Sequence, residues 1–166
     1  MKMNADYYVK HLGLLPHPEG GYYKETYRSK GKIKTGLLPG IVAERNFSTA
    51  IYFLLEKNNF SAFHRIKSDE LWHFYAGDPL EVIEITKKGE LKITVVGREI
   101  MNGQTFQYMV PSGHWFASRV KKGGEFSLVG CTVSPGFDFL DFEMADRDSL
   151  VKEFPVQEEI IRMLTR

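Results

Sequence analysis

An all-β fold, two sheets rolled into a jelly roll or barrel, is what the 166 residues of this chain predict. Three observations carry that expectation. Short runs of alternating residues recur at regular spacing, and Gly, Pro, Asn and Asp punctuate the gaps between them. At 43% hydrophobic, the chain also has enough apolar mass for one core and too little length for two ordinary domains. Residues 1–166 therefore read as a single domain, with the barrel core spanning about 21–142.

The elements follow in order. Asn4 caps a short helix through about Leu14, with Tyr8, Val9, Leu12 and Leu15 on one stripe, and Pro16 to Gly21 stops it. Tyr22–Ser29 alternates aromatic and charged residues as a strand does. Gly31 to Gly40 is a basic loop with Gly and Pro, expected to be mobile. Eight strands come next: Thr49–Leu55, Ser61–Ile66, Glu70–Ala76, Leu80–Thr86, Leu91–Val96, Phe106–Val110, Trp115–Val120 and Phe126–Val133. Their turns include Gly77-Asp78-Pro79, Asn102-Gly103 and Pro111-Ser112-Gly113. Strands this short and this punctuated favour a double-sheet jelly roll. Phe137, Phe139 and Phe142, interleaved with Asp138 and Asp141, suit a segment that lids one barrel end. Two short helices, Ala145–Glu153 and Val156–Leu164, close the chain.

Composition excludes some functions. The formal net charge is +1, so there is no one-signed field to hold nucleic acid or an anionic membrane. The single Cys131 permits no intrachain disulfide and sits in a strand-like run, where a buried inert thiol is expected. Met1 to Asp6 has no apolar leader core, and no apolar run reaches membrane-spanning length. A soluble, cytoplasmic protein is the expectation.

The most informative segment is Phe63 to Gly77. By alternation, His64 and Ile66 share one face of a first strand, and Glu70, Trp72 and Phe74 share one face of a second. A His and a carboxylate thus meet inside an aromatic-walled barrel. Together with His17-Pro18-Glu19-Gly20-Gly21-Tyr22-Tyr23, Thr49 to Leu55, Val110 to Phe116 and Gly130 to Phe139, this block resembles the cupin superfamily, in its branch of uncharacterised function (Cupin type 5). The resemblance runs from about Leu14 to Pro155 and implies a double-stranded β-helix with a small-molecule cavity. In metal-dependent cupins three imidazoles and one carboxylate converge on a divalent ion. Here His64 and Glu70 match two ligands, while Ile66 and Phe116 stand where the other two histidines would be. No cofactor is expected; a divalent metal, if bound, would rest on His64 and Glu70, with His114 or His73 as substitutes.

Without metal, the resemblance implies an isomerase or epimerase acting on a carbohydrate or sugar-nucleotide-like ligand. His64 is then the general base, and Glu70 orients it or acts as acid. Ile66, Trp72, Phe74, Gln107, Trp115, Phe116 and Ser118 are the expected pocket wall, Ser118 sharing parity with Phe116. Glu25 and Tyr27 alternate onto one face, at the cavity mouth or a subunit contact. The alternatives are a non-catalytic storage or sensing protein and a metal-dependent cupin with rearranged ligands. A homodimer is expected, because an early aromatic strand has an edge to cover.

Overall fold

Backbone pairing in the computed structural model, which describes residues 3–37 and 40–166, builds two antiparallel sheets that face each other. In chain order the elements are α1 (Ala5–Leu12), β1 (Leu15–Pro16), β2 (Tyr22–Arg28), β3 (Lys32–Ile33), β4 (Arg45–Asn46), β5 (Thr49–Glu56), β6 (Phe60–Arg65) and β7 (Asp69–Gly77). They continue with β8 (Leu80–Ile85), β9 (Leu91–Val96), β10 (Gln107–Val110), β11 (Trp115–Val120), β12 (Phe126–Ser134), β13 (Glu143–Met144), α2 (Arg147–Glu153) and α3 (Glu158–Met163). One sheet runs β1-β2-β5-β12-β7-β10 and the other β13-β6-β11-β8-β9. Sequence-distant strands lie side by side, as a jelly roll requires.

Three apolar clusters hold the layers. Between the sheets lie Phe53, Leu55, Ile66, Trp72, Leu80, Val82, Val96, Val110, Phe116 and Val129. On the outer face of the five-stranded sheet, Phe63, Ile83, Ile85, Trp115 and Ala117 pack under Leu150 of α2 and Ile161 of α3. On the other side Tyr8, Val9 and Leu12 of α1 lie against Leu54 and Leu128. Strands buried on both faces explain why several runs read as almost continuously apolar.

The structure departs from the sequence reading in three places. Helix α1 ends earlier than expected because Gly13 takes a left-handed φ of 65°, so Leu15 leaves the stripe and lies on β1, exposed. The basic loop begins with a strand pairing: β3, inside it, pairs with β4, which lies beyond Gly40, while Leu38 and Pro39 lie outside the described residues. Helix α2 starts later than Ala145, because Asp146 caps it by accepting from the Ser149 backbone N–H at 3.0 Å.

Candidate functional site

Register places the chemistry. Across the six-stranded sheet, Arg28, Thr49, Val133 and Glu70 are successive cross-strand neighbours, and so are Glu25, Ile51, Cys131 and Trp72. Both rows face the interior. Across the facing sheet, Met144, His64, Phe116 and Glu84 form the matching row. His64 and Glu70 therefore look toward one another from opposite sheets, at one end of the roll.

A third element completes the site. Residues 17–21 form a tight turn in which the His17 N–H donates to the Gly21 carbonyl at 2.9 Å and the Gly20 N–H to the His17 carbonyl at 3.0 Å. Gly21 sits at φ 75°, and a Cβ there would meet the Leu54 carbonyl oxygen at 2.6 Å, so only glycine fits. The Ala62 N–H donates to the Glu19 carbonyl at 2.9 Å and fixes the turn to β6. The outcome is a buried Glu19 beside two imidazoles.

The hydrogen bonds set the protons. Glu19 Oε1 accepts from Ser61 Oγ at 2.8 Å, and Oε2 lies 3.2 Å from His64 Nε2 and 3.6 Å from His17 Nδ1. His64 Nδ1 is 2.8 Å from the Ala62 carbonyl, which only accepts, so Nδ1 carries the proton. His17 Nδ1 accepts from the Glu19 N–H at 3.3 Å, which puts the proton of a neutral His17 on Nε2. Burial pushes both imidazoles below their ordinary range, and burial pushes Glu19 above its own. Glu70 rises to about 7, chiefly through burial, with His64 opposing and Glu19 adding to the rise. Burial and the adjacent Glu70 keep Cys131 a thiol, which donates to Glu70.

These groups line a cavity of about 340 Å³. Its rim is the segment after β12. Phe137, Phe139 and Phe142 pack edge to face on one another, Phe142 lies 5.2 Å from the His64 ring, and Phe139 stacks at 6.4 Å on His17. The segment is tied down by Arg45, whose guanidinium donates to both Asp141 oxygens at 2.7 and 2.9 Å, with both side chains buried.

The expected site residues are distributed as follows. His64, Glu70 and Glu25 line the cavity. Ile66, Trp72 and Phe116 lie behind it, Phe116 4.2 Å from His64 and Trp72 edge-on to Phe53 at 5.9 Å. Phe74 and Ser118 lie further from it: Phe74 packs at the margin of the inner cluster, and Ser118 is fully buried along β11. Three residues lie elsewhere. Tyr27 points outward, because a bulge between Glu25 and Tyr27 reverses the alternation and brings Arg28 to the cavity instead. Trp115 has outer parity on β11 and packs under the helices, with the Arg65 guanidinium 4.3 Å from its ring. Gln107 is on the outer face, donating to His73 Nδ1 at 2.9 Å, and His73 also lies 3.0 Å from Thr132 Oγ1. The carboxylate within 4 Å of the His64 ring nitrogens is Glu19, its Oε2 3.2 Å from Nε2, rather than Glu70.

The cupin ion does not fit this donor set. Ile66 and Phe116 fill two ligand positions with carbon, and His114 is turned away to Glu84, its Nδ1 2.5 Å from Oε1. Among the described residues no three His, Cys, Asp or Glu side chains gather as a metal's ligands. His17 and Glu19 were absent from the expected site although their motif carried the resemblance; a turn has no strand parity to announce a direction.

Fold and site together define a cupin. Residues 6–145 match the family model described as Cupin superfamily (DUF985), and the chain belongs to that family. An uncharacterized protein of Saccharomyces cerevisiae, YML079W, is 33% identical over 138 residues, covering 77% of this chain and 68% of that protein. A hypothetical protein from Leishmania major superposes with a TM-score of 0.91 at 37% identity, covering 98% of both chains. Protein SO0799 from Shewanella oneidensis gives 0.87 at 39% identity, with 99% of both covered. Oxalate decarboxylase from Bacillus subtilis, at 17% identity and a TM-score of 0.55, shares the fold across 90% of this chain and 36% of its own. Among the described residues no helix is long and apolar enough to cross a membrane.

Proposed function

We propose that the chain binds a small polar organic molecule in the cavity between His64, Glu19 and Glu70 and moves a proton on it, an isomerase- or epimerase-class reaction on a carbohydrate-like ligand. One observation carries this reading. A buried imidazole with a fixed tautomer and a carboxyl poised near pH 7 line the same cavity from opposite sheets. Groups that neither hold a formal charge firmly nor lie far from neutrality in pKa are the ones suited to give and take protons. His64 serves as base through Nε2, with Glu19 stabilising the imidazolium that forms, and Glu70 is the second acid–base group. The cavity accommodates a monosaccharide-sized body.

The test is solvent exchange. Free aldoses and ketoses incubated with the protein in D2O should acquire carbon-bound deuterium, read by mass spectrometry. His64→Asn should lose the exchange by 100-fold or more while keeping its circular dichroism. Thermal stabilisation by a sugar without exchange would favour the storage or sensing reading instead. Unchanged exchange in His64→Asn would remove the base from its role. A small-molecule role also accords with the near-neutral net charge, which gives nucleic acid nothing to hold. The free Cys131 accords with a reducing cytoplasm.

A further inference from the structure

The charges lining the cavity are unbalanced. Among the described residues four carboxyls face it, those of Glu19, Glu25, Glu70 and Asp138, against one fixed cation, Arg28. That guanidinium is already committed. Its Nε and Nη2 donate to the two Glu25 oxygens at 3.0 and 2.7 Å, and its Nη1 donates to Asn46 Oδ1 at 2.9 Å and to the Phe137 carbonyl at 3.2 Å. No donor fork is left for a phosphate or a carboxylate. Glu19 and Glu70 are each more than nine-tenths buried, yet among the described residues neither carboxyl pairs with a Lys or Arg; Arg166 reaches only the Glu19 backbone carbonyl, at 3.4 Å. Among the described residues Glu70 has the Cys131 thiol beside it and His64 and Glu19 nearby, with no Lys or Arg. Buried carboxyls without a cation are costly, and the cost is relieved by a positive group that enters the cavity. Phe137 and Phe139 add aromatic rings to the lining, and the face of such a ring attracts a cation.

We propose that the cavity selects a compact ligand carrying an ammonium group, which sits between the carboxyls of Glu19 and Glu70 and beside the rings of Phe137 and Phe139. An amino sugar or a hydroxylated amine has the right size and chemistry; phosphorylated and carboxylated molecules are excluded. The inference deepens the ligand-binding reading above and rests on it.

The probes are matched in size and differ in charge: glucosamine against glucose, ethanolamine against ethylene glycol, and inorganic phosphate and glycolate as anions. Each is titrated into the protein at constant ionic strength, by calorimetry and by thermal shift. The amines should bind at least tenfold tighter than their alcohol counterparts and raise the melting temperature saturably, and the anions should do neither. Glu70→Gln should lose tenfold or more of the amine affinity, while Glu125→Gln, on the surface, keeps it. The wild-type comparison decides the matter even if Glu70→Gln fails to fold. Equal binding of amine and alcohol, tighter binding of an anion, or a stoichiometric divalent metal on elemental analysis would each overturn the proposal. The two readings fail separately. Amine selectivity without deuterium exchange leaves this inference standing and removes the catalysis; exchange on glucose with no preference for glucosamine does the reverse.

Discussion

Glu70 is a carboxyl with little to hold its charge, and that has a measurable consequence. Its folded pKa of about 7 lies above the ordinary carboxyl value, so the folded chain keeps a proton that the unfolded chain releases. The stability this confers is present below the unfolded pKa and is lost as pH rises through about 7. Glu70→Gln has no proton to lose. Its stability relative to the parent should therefore climb from pH 5 to pH 8, by roughly 1–3 kcal/mol, in urea denaturation series. His17 and His64 are shifted the other way, so their contribution is lost as pH falls below the ordinary histidine range. A mutant–parent difference that is flat with pH would contradict the burial of Glu70. At this scale the sequence was partly legible. Strand parity aimed His64 and Glu70 inward, because period-2 alternation survives wherever the ladder is regular. It failed at Tyr27, where one bulge reverses every later side chain, and it was silent on Glu19, whose direction is set by a glycine turn.

Among the elements, the segment from Pro135 to Phe142 roofs the site without being a helix or a strand for most of its length. Its anchor is the Arg45–Asp141 pair, drawn from two parts of the chain 96 residues apart and buried on both sides. Removing Asp141 leaves the buried Arg45 guanidinium with only the part-exposed Asp138 carboxylate, 4.0 Å away. Asp141→Ala should cost about 3–5 kcal/mol. The double change Arg45→Met with Asp141→Leu should recover much of that loss, and chemical denaturation of the two variants compares them directly. An Asp141→Ala loss within the experimental error of zero would show that the pair does not anchor the rim. The role of Phe137, Phe139 and Phe142 as a lid was legible from their spacing, since aromatic residues after a last strand must cover something. Trp115 was misplaced because β11 is buried on both faces, and composition alone does not say which layer an apolar side chain joins.

Over the whole molecule, each sheet keeps two edges, β1 and β10 in one and β13 and β9 in the other, and β1 is too short to cover β2. Its neighbour β1 pairs only with Tyr22 and Tyr23, so among the described residues no strand lies beside the outer edge from Lys24 to Arg28. We propose that this edge, next to the exposed Tyr27, is where a second copy of the chain pairs. Sedimentation equilibrium at micromolar concentration should give about 38 kDa, twice the 19.1 kDa of one chain, and a monomer mass would dismiss the idea. The fold itself was legible at this scale, since nine of the strand segments read from alternation recur in the structure with shifts of a few residues. The short pairs β1, β3, β4 and β13 were not, because two residues carry no period.

The account stands on His64 being sealed inside the roll as a neutral imidazole, its Nδ1 proton on the Ala62 carbonyl and its Nε2 against Glu19. A long-range proton–nitrogen NMR spectrum of the imidazoles, followed from pH 8 to pH 5, reads this directly. The His64 ring should be Nδ1-protonated at pH 7 and should titrate below the free-histidine value. A ring that is Nε2-protonated, or that titrates as it would in open water, would contradict it.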